Sequence, residues 1–264
     1  MLRIAVQSKG RLYDETMELL TAAGIKLVAV KRTLLVPSRN FPIELLFLRD
    51  DDIPDSVATG TADIGIVGLN EVKEKKQNVN ILRNLGFSHC RLSLAIPKEI
   101  DYTGLDWFNG KKIATSYPVI LNEFLNEHNI SADVHVIGGS VEIAPGIGLS
   151  DAIFDIVSSG STLVSNNLKE VEVVMQSDAV LIANNSTLPD DKKAALDELL
   201  FRIEAVKTAE KKKYILMNVP RQKLDAVIAI LPGIKSPTIL PLADEQWCSV
   251  HAVLEEQHLW SVIN

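Results

Sequence analysis

Cysteine is scarce. The 264 residues hold only Cys90 and Cys248, far apart in sequence, which makes a disulfide framework an unsuitable staple and a reducing cytosol the natural compartment. Long apolar runs are missing as well. Before Gln7 and Ser8 the N-terminus offers only Ile4-Ala5-Val6, short of a signal-peptide core, and nowhere do roughly 18 apolar residues run together. The expectation is a chain neither exported by a visible signal nor spanning a membrane. Positive charge is not in excess either: 27 Lys and Arg against 34 Asp and Glu leave a net charge of −7, which argues against a nucleic-acid or anionic-membrane binder. An acidic chain can still focus positive charge in one cleft. Short-period repeats, low-complexity segments and the G-x-S-x-G, H-E-x-x-H and C-x-x-C motifs are absent. What remains is ordinary globular composition, 47% hydrophobic and 23% charged. The length is about 1.8 times a roughly 150-residue domain, which suggests two or three domains.

Short apolar runs alternate with longer amphipathic stretches, the signature of an α/β protein. Leu2 to Val6 reads as a buried strand, Gln7 to Leu12 as a polar turn, and Asp14 to Ala23 as a helix closed by Gly24. Strands are expected at Ile43 to Leu48 and Ala62 to Val67, with a short helix at Ile53 to Ala58 between them. Asp51 or Asp52 is the expected N-cap of that helix. The pattern restarts past Gly86, with strands at Leu92 to Ile96, Lys111 to Thr115, Val134 to Ile137, Asp155 to Val157, Val171 to Met175 and Ala179 to Ile182. A helix from Ser116 to His128 carries Pro118 in its first turn. Two α/β units thus stand side by side, a two-lobed architecture like that of solute-binding proteins, with a cleft between lobes. Residues 1–90 with 177–213 form the expected first lobe and 91–176 the second, and a long helix from Pro189 to Lys213 is expected to return to the first. The tail, 214–264, reads β-α-β-β-α: Tyr214 to Val219, Lys223 to Leu231 stopped by Pro232-Gly233, Thr238 to Leu242, Trp247 to Leu254, and a helix from Glu255. That is a small ferredoxin-like domain without its last strand.

One stretch is chemically distinctive. After the apolar step Ile156-Val157, Ser158, Ser159, Ser161 and Thr162 surround Gly160. Convergent N–H groups and hydroxyls at such a turn suit a phosphate, and Gly160 permits the tight backbone. Asp155, just upstream, can accept from ribose hydroxyls. The same residues also fit a serine-rich loop that caps a helix.

The run Asp155-Ile-Val-Ser-Ser-Gly-Ser-Thr-Leu resembles the phosphoribosyl-pyrophosphate motif of the ATP phosphoribosyltransferase family, the first enzymes of histidine biosynthesis. Other blocks follow in the family's order: Gln7 to Leu12, Arg49 to Pro54, Asp63 to Gly68, Cys90 to Leu94, Ala114 to Pro118, Gly139 to Pro145 and Ser236 to Ala243. Any one is weak, but the ordered set spans nearly the whole chain. The tail makes the chain similar to the long, self-regulated form.

The resemblance implies transfer of phosphoribose from its pyrophosphate to N1 of ATP, with pyrophosphate released and Mg²⁺ present with the substrates. Lys9, Arg11, Arg49 and Arg91 then stand as catalytic cations, each of which also fits a solvated surface position. Asp50, Tyr117 and Glu142 become candidates for contacts with ATP. No protein nucleophile is needed, because the adenine nitrogen attacks with its own lone pair. The metal ligands stay unassigned: Cys248 and His251 fall on opposite faces of a strand, and His89, His128, His135 and His258 read as structural or solvated. The tail resembles a module through which histidine inhibits, with Asn218 and Thr238 as regulatory contacts, and the family suggests dimers assembling into hexamers. Because the sequence stops at Asn264, either an exposed edge is expected on Thr238 to Leu254 or a partner strand lies beyond the sequence, with catalysis kept, the response to histidine weak, and inhibition restored by one further strand. Two rivals remain at this point, a non-enzymatic solute-binding protein and a ligand-sensing subunit with a degenerate turn.

Overall fold

The structure is a computed structural model that describes residues 1–27, 33–231 and 236–263. Contacts divide the chain into two compact units, Met1–Leu196 and Asp197–Asn264. The contact boundary falls inside a helix, whereas the element pattern of the sequence sets the tail apart from residue 214. Among the described residues no helix is long and apolar enough to cross a membrane.

The first unit contains two sheets. Strands β1 (Leu2–Gln7), β2 (Leu35–Pro37), β3 (Ile43–Leu48), β4 (Ile64–Gly68) and β5 (Val79–Asn84) build one, joined late by β11. Its order is β2-β3-β1-β4-β11-β5, with β1 parallel to β3 and β4. The second sheet is made of β6 (Cys90–Pro97), β7 (Lys112–Thr115), β8 (Asp133–Val136), β9 (Ala152–Val157) and β10 (Leu168–Ser177), in the order β10-β6-β9-β7-β8. The chain then returns to the first sheet as β11 (Ala179–Asn184), with only Asp178 between the strands. The outward passage lies beside this return: Leu85 donates to the Ala179 carbonyl at 2.8 Å, and Ala179 donates to the Phe87 carbonyl at 2.9 Å.

Helix α1 (Arg11–Ala22) starts within the stretch expected to be a turn, with Gly10 at φ +96 immediately before it. Helix α2 (Ile53–Ala58) follows a 3-10 turn at Asp50–Asp52. Asp52 occupies the N-cap position, but no side chain caps the helix, so the expected capping by Asp51 or Asp52 does not occur. Asp51 instead faces Arg49 at 3.3 Å. Helix α3 (Leu69–Lys75) and the strands β2 and β5 carry little apolar periodicity, which is why the sequence pattern passes over them. Asn70, Glu71 and Glu74 of α3 are nevertheless buried. Helices α4 (Pro118–Glu127) and α5 (Ser161–Ser165) belong to the second sheet's side of the chain.

Helix α6 (Asp190–Glu210) spans the boundary between the units and stops short of the expected Lys213, because Lys212 already belongs to a strand. Its first turn is tied to the first unit by Lys192, which donates to Asp63 at 2.8 Å. Its buried positions are Ala195, Leu196, Leu199 and Ile203, whereas Ala194 and Ala209 face solvent.

In the second unit β12 (Lys212–Pro220), α7 (Leu224–Ile230), β13 (Thr238–Pro241), β14 (Trp247–Glu255) and α8 (Leu259–Ile263) give a sheet ordered β12-β14-β13. This is a ferredoxin-like βαββα arrangement. The exposed edge expected on Thr238 to Leu254 is found at β13 but not at Trp247–Glu255, which is the central strand, paired on both sides; among the described strands the edges are β12 and β13. Cys248, Val250, Ala252 and Leu254 alternate into the core, and His251 lies on the other face. The stop read at Pro232-Gly233 and the final Asn264 lie outside the described residues.

Gly65 shows how closely α2 seats on the first sheet. A Cβ there would lie 2.7 Å from Ile53 Cγ2 and 2.9 Å from Val57 Cγ2, both in the core. Gly65→Ala is therefore expected to destabilise the fold by about 1–3 kcal/mol through overpacking. Urea denaturation checks this, and a midpoint equal to the parent's would contradict it.

Candidate active site

Three recesses lie in series in the first unit, the first joined to each of the other two. The first, of about 180 Å³, lies among Gln7, Arg11, Asp50, Asn70, Glu71 and Ser88. The second, about 250 Å³, is walled by Glu142, Asp155 and Ser158 to Thr162. The third, about 500 Å³, takes in Arg49, Asp50, Glu71, Ser116 and Tyr117 together with the loop up to Gly138. Ile156 is shared by the first and second, while Asp50 and Glu71 are shared by the first and third. Residues from both sheets therefore meet along common walls.

The serine-rich turn forms where β9 ends. Gly160 has φ +80, a left-handed conformation that favours glycine, and a Cβ there would meet only Val157 Cγ1 at 3.9 Å. Ser159 and Ser161 hydroxyls lie 3.0 Å apart. Asp155 is half-buried at the mouth of the turn, and desolvation raises its carboxyl pKa to about 6, with Glu142 adding to the rise and the Ile156 N–H, 2.8 Å away, opposing it.

A buried polar network lies between the sheets. Asn70 Nδ2 donates to Glu71 Oε1 at 2.9 Å, and the Tyr117 hydroxyl donates to the same oxygen at 3.0 Å. Ser177 Oγ accepts from the Asn70 backbone N–H at 3.0 Å and donates to Asn70 Oδ1 at 2.8 Å. Glu74 accepts from the N–H groups of Val119 and Ile120 at 2.9 and 3.0 Å, satisfying the first turn of α4 that Tyr117 cannot cap. Burial pushes the Glu71 carboxyl up to about 7, and Asp50 adds to the shift. Tyr117 is also raised, by desolvation first and then by Glu71.

The candidate residues distribute unevenly over these recesses. Arg11 and Asp50 share the first; Glu142, Asp155, Ser158, Ser159, Gly160, Ser161 and Thr162 share the second; Arg49, Asp50 and Tyr117 share the third. Lys9 is exposed beside Gly10, outside all three linings. The Arg91 guanidinium donates to both carboxylate oxygens of Glu170, at 2.5 and 2.6 Å, and to the Ser158 carbonyl at 3.1 Å. Asn218 and Thr238 lie in the other unit, opposite Ser249 and His251 respectively. Sequence reading missed Asn70, Glu71, Glu74, Glu170 and Ser177. The one signal for the first two is their place two and three residues after Gly68, where the apolar strand has ended. His251 has Tyr214 at Nδ1 and Ser249 at Nε2, as befits a structural histidine.

The fold is that of two-domain binding proteins. The substrate binding protein of an amino acid ABC transporter matches with a TM-score of 0.54 over 79% of this chain and 94% of its own, at 12% identity, a likeness of fold alone. The family comparisons add the chemical class, a phosphoribosyl-transferring enzyme. A family model described as ATP phosphoribosyltransferase matches residues 49–205, and one for its C-terminal domain matches 209–264. The chain belongs to the ATP phosphoribosyltransferase family, which carries out the first step of histidine biosynthesis with ATP and phosphoribosyl pyrophosphate as substrates. The ATP phosphoribosyltransferase of Bacteroides thetaiotaomicron is 67% identical over 263 residues, covering 100% of this chain and 93% of that relative. Among solved structures, the ATP phosphoribosyl transferase (HisG:HisZ) complex from Thermotoga maritima matches at TM-score 0.66 and 27% identity, over 78% of this chain and 100% of that one.

Glu71 offers a direct test of the buried network. Its raised pKa means that the native state holds a proton more tightly than the unfolded chain does. The stabilisation is full below pH 4.5 and is lost as pH rises towards about 7. Glu71→Gln keeps an acceptor for Tyr117 and removes the buried charge. The variant is expected to be more stable than the parent at pH 8 by on the order of 2–3 kcal/mol, with the difference gone at pH 4.5. Denaturant titration at both values checks this; a pH-independent difference would contradict it.

Proposed function

We propose that the turn at Ser158 to Thr162 binds phosphoribosyl pyrophosphate, that ATP occupies the recess lined by Arg49, Asp50 and Tyr117, and that adenine N1 attacks the ribose C1′ in the recess that connects the two. The bond from C1′ to the pyrophosphate oxygen breaks as the bond to N1 forms, and pyrophosphate leaves with the electron pair. The observation that carries this reading is that the first recess joins the other two: it shares Ile156 with the recess of the hydroxyl-rich turn and Asp50 and Glu71 with the recess of Arg49 and Tyr117. A donor held in one can thus face a nucleophile held in the other.

The chain's own work is positional and electrostatic. Hydroxyls and N–H groups of the turn hold phosphate oxygens, and Asp155 accepts from ribose hydroxyls. Arg11 and Arg49 screen the charge that builds as pyrophosphate departs, and Lys9, exposed outside the linings, adds only longer-range positive charge. Glu142 completes the wall beside Asp155. Mg²⁺ travels with the phosphates. Among the described residues no group of three or more His, Cys, Asp and Glu side chains stands ready to hold a metal. Asp155 with Glu142 offers the one or two carboxylates that a phosphate-borne Mg²⁺ uses.

The remaining parts of this reading concern regulation and setting. Histidine inhibits through the second unit, where Asn218 and Thr238 stand on the same sheet face as Ser249 and His251. A histidine that prefers one quaternary arrangement of a dimer or hexamer shifts the assembly by that difference in affinity. The reaction runs in the cytoplasm, where the free thiols of Cys90 and Cys248 stay reduced.

Release of pyrophosphate from ATP plus phosphoribosyl pyrophosphate and Mg²⁺ tests the reaction, and failure to release it from the purified chain would contradict the reading. Gly160→Val is expected to abolish donor binding with the fold intact, because a β-branched residue opposes φ +80. Calorimetric titration with phosphoribosyl pyrophosphate reads this, and parent-like affinity would place the donor elsewhere. Arg49→Ala should lose about 2–4 kcal/mol of transition-state stabilisation. Steady-state kcat/KM measures it; an unchanged value would remove Arg49 from the site.

A further inference from the structure

Arg91 is placed unlike the other candidate cations. Its guanidinium is engaged on three sides: Nε and one terminal nitrogen grip the two oxygens of Glu170, and the other terminal nitrogen donates to the Ser158 carbonyl. Glu170 also accepts from the Ser93 hydroxyl at 2.6 Å, and Ser93 is buried. A bidentate arginine–carboxylate pair is directionally strict, and its planar fork fixes where the third donor points. That donor holds the first residue of the serine-rich turn.

Strand register makes the contact more than a chance surface pair. On β6, Arg91 stands opposite Gln176 of β10 and Val157 of β9, whereas Glu170 stands opposite Ala95. The pair is therefore diagonal, and irregularities between Glu170 and Glu172 and between Val173 and Met175 shift the register of β10 alongside it. The carboxylate thus links three strands of one sheet, from β10 through β6 to the end of β9. Arg91 lowers the Glu170 carboxyl pKa, as a committed ion pair requires.

We infer that Glu170 is a positioning residue for phosphoribosyl transfer: through Arg91 it fixes the Ser158 carbonyl and so the direction in which the hydroxyls of Ser158 to Thr162 present themselves to the donor's phosphates. The inference rests on the assignment of that turn to the donor. It changes the role of Arg91 from a direct phosphate ligand to a brace. The two roles differ in sign for a change at Glu170. If Arg91 touched phosphate, removing the carboxylate would free its charge and leave donor binding equal or tighter. If Arg91 is a brace, the same change loosens the turn and weakens binding.

The test uses the full-length chain with ATP, phosphoribosyl pyrophosphate and Mg²⁺, comparing Glu170→Ala, Glu170→Gln, Arg91→Ala and the double alanine variant. Expected for Glu170→Ala is a KM for phosphoribosyl pyrophosphate raised about 10- to 100-fold, because a small misplacement of binding groups is costly. The KM for ATP should stay within about twofold. Glu170→Gln, which keeps one acceptor for Arg91 and one for Ser93, should recover part of the loss. The double variant should be no worse than Arg91→Ala alone, since both changes break one linkage. Parent-like or tighter donor binding in Glu170→Ala overturns the proposal, as does an equal rise in both KM values or additive losses in the double variant. If Glu170→Ala does not fold, Glu170→Gln carries the same comparison of the two KM values. Gly160→Val separates the two levels. Lost donor binding there with intact binding in Glu170→Ala overturns the brace alone, and intact binding in Gly160→Val overturns the turn assignment and the brace together.

Discussion

The two sheets of the first unit are held in one working arrangement by the carboxylates of α3. Glu74 supplies the acceptors that the first turn of α4 needs, and Glu71 joins Asn70 to Tyr117. These groups are buried, so each must be satisfied or it costs on the order of 1–3 kcal/mol. Satisfying them demands that α3 of one sheet and α4 of the other stand at one distance and one angle. Ser177, at the end of the strand that leads back to the first sheet, completes the same network. The proposed recesses for donor and acceptor each share a wall with the recess between them, through Ile156 on one side and Asp50 and Glu71 on the other, because this contact brings both sheets to the same place.

A chain of net charge −7 must hold two polyanions, and local placement resolves that conflict. Arg11 lines the first recess and Arg49 the third, and the turn after β9 adds neutral hydroxyl donors at the second. Burial raises the pKa of two of the carboxylates that line these recesses, Asp155 to about 6 and Glu71 to about 7, which reduces their share of the opposing negative charge below neutral pH. Desolvation is the leading cause at both.

Most of the chain's architecture was legible because apolar runs and turn residues repeat with the right periods. The strands from Leu2, Ile43, Leu92 and Ala179, the helix after Pro118 and the βαββα tail all follow from that pattern. What escaped it has a common cause. Helix α3 buries Asn70, Glu71 and Glu74 instead of apolar side chains, and β5 is an edge strand with mostly exposed positions, so neither shows a hydrophobic period. The serine-rich turn was visible from its composition alone. The engagement of Arg91 by Glu170 was not, because a contact across irregular strand register leaves no trace in linear spacing.

Hydrogen–deuterium exchange on the full chain, with and without phosphoribosyl pyrophosphate and Mg²⁺, tests the central claim most directly. Protection is predicted in 155–165 on addition of the donor, and further protection in 49–53 and 116–120 when ATP joins it. Donor-induced protection that spares 155–165, or that appears in the second unit instead, would contradict the placement of catalysis at the shared walls of these recesses.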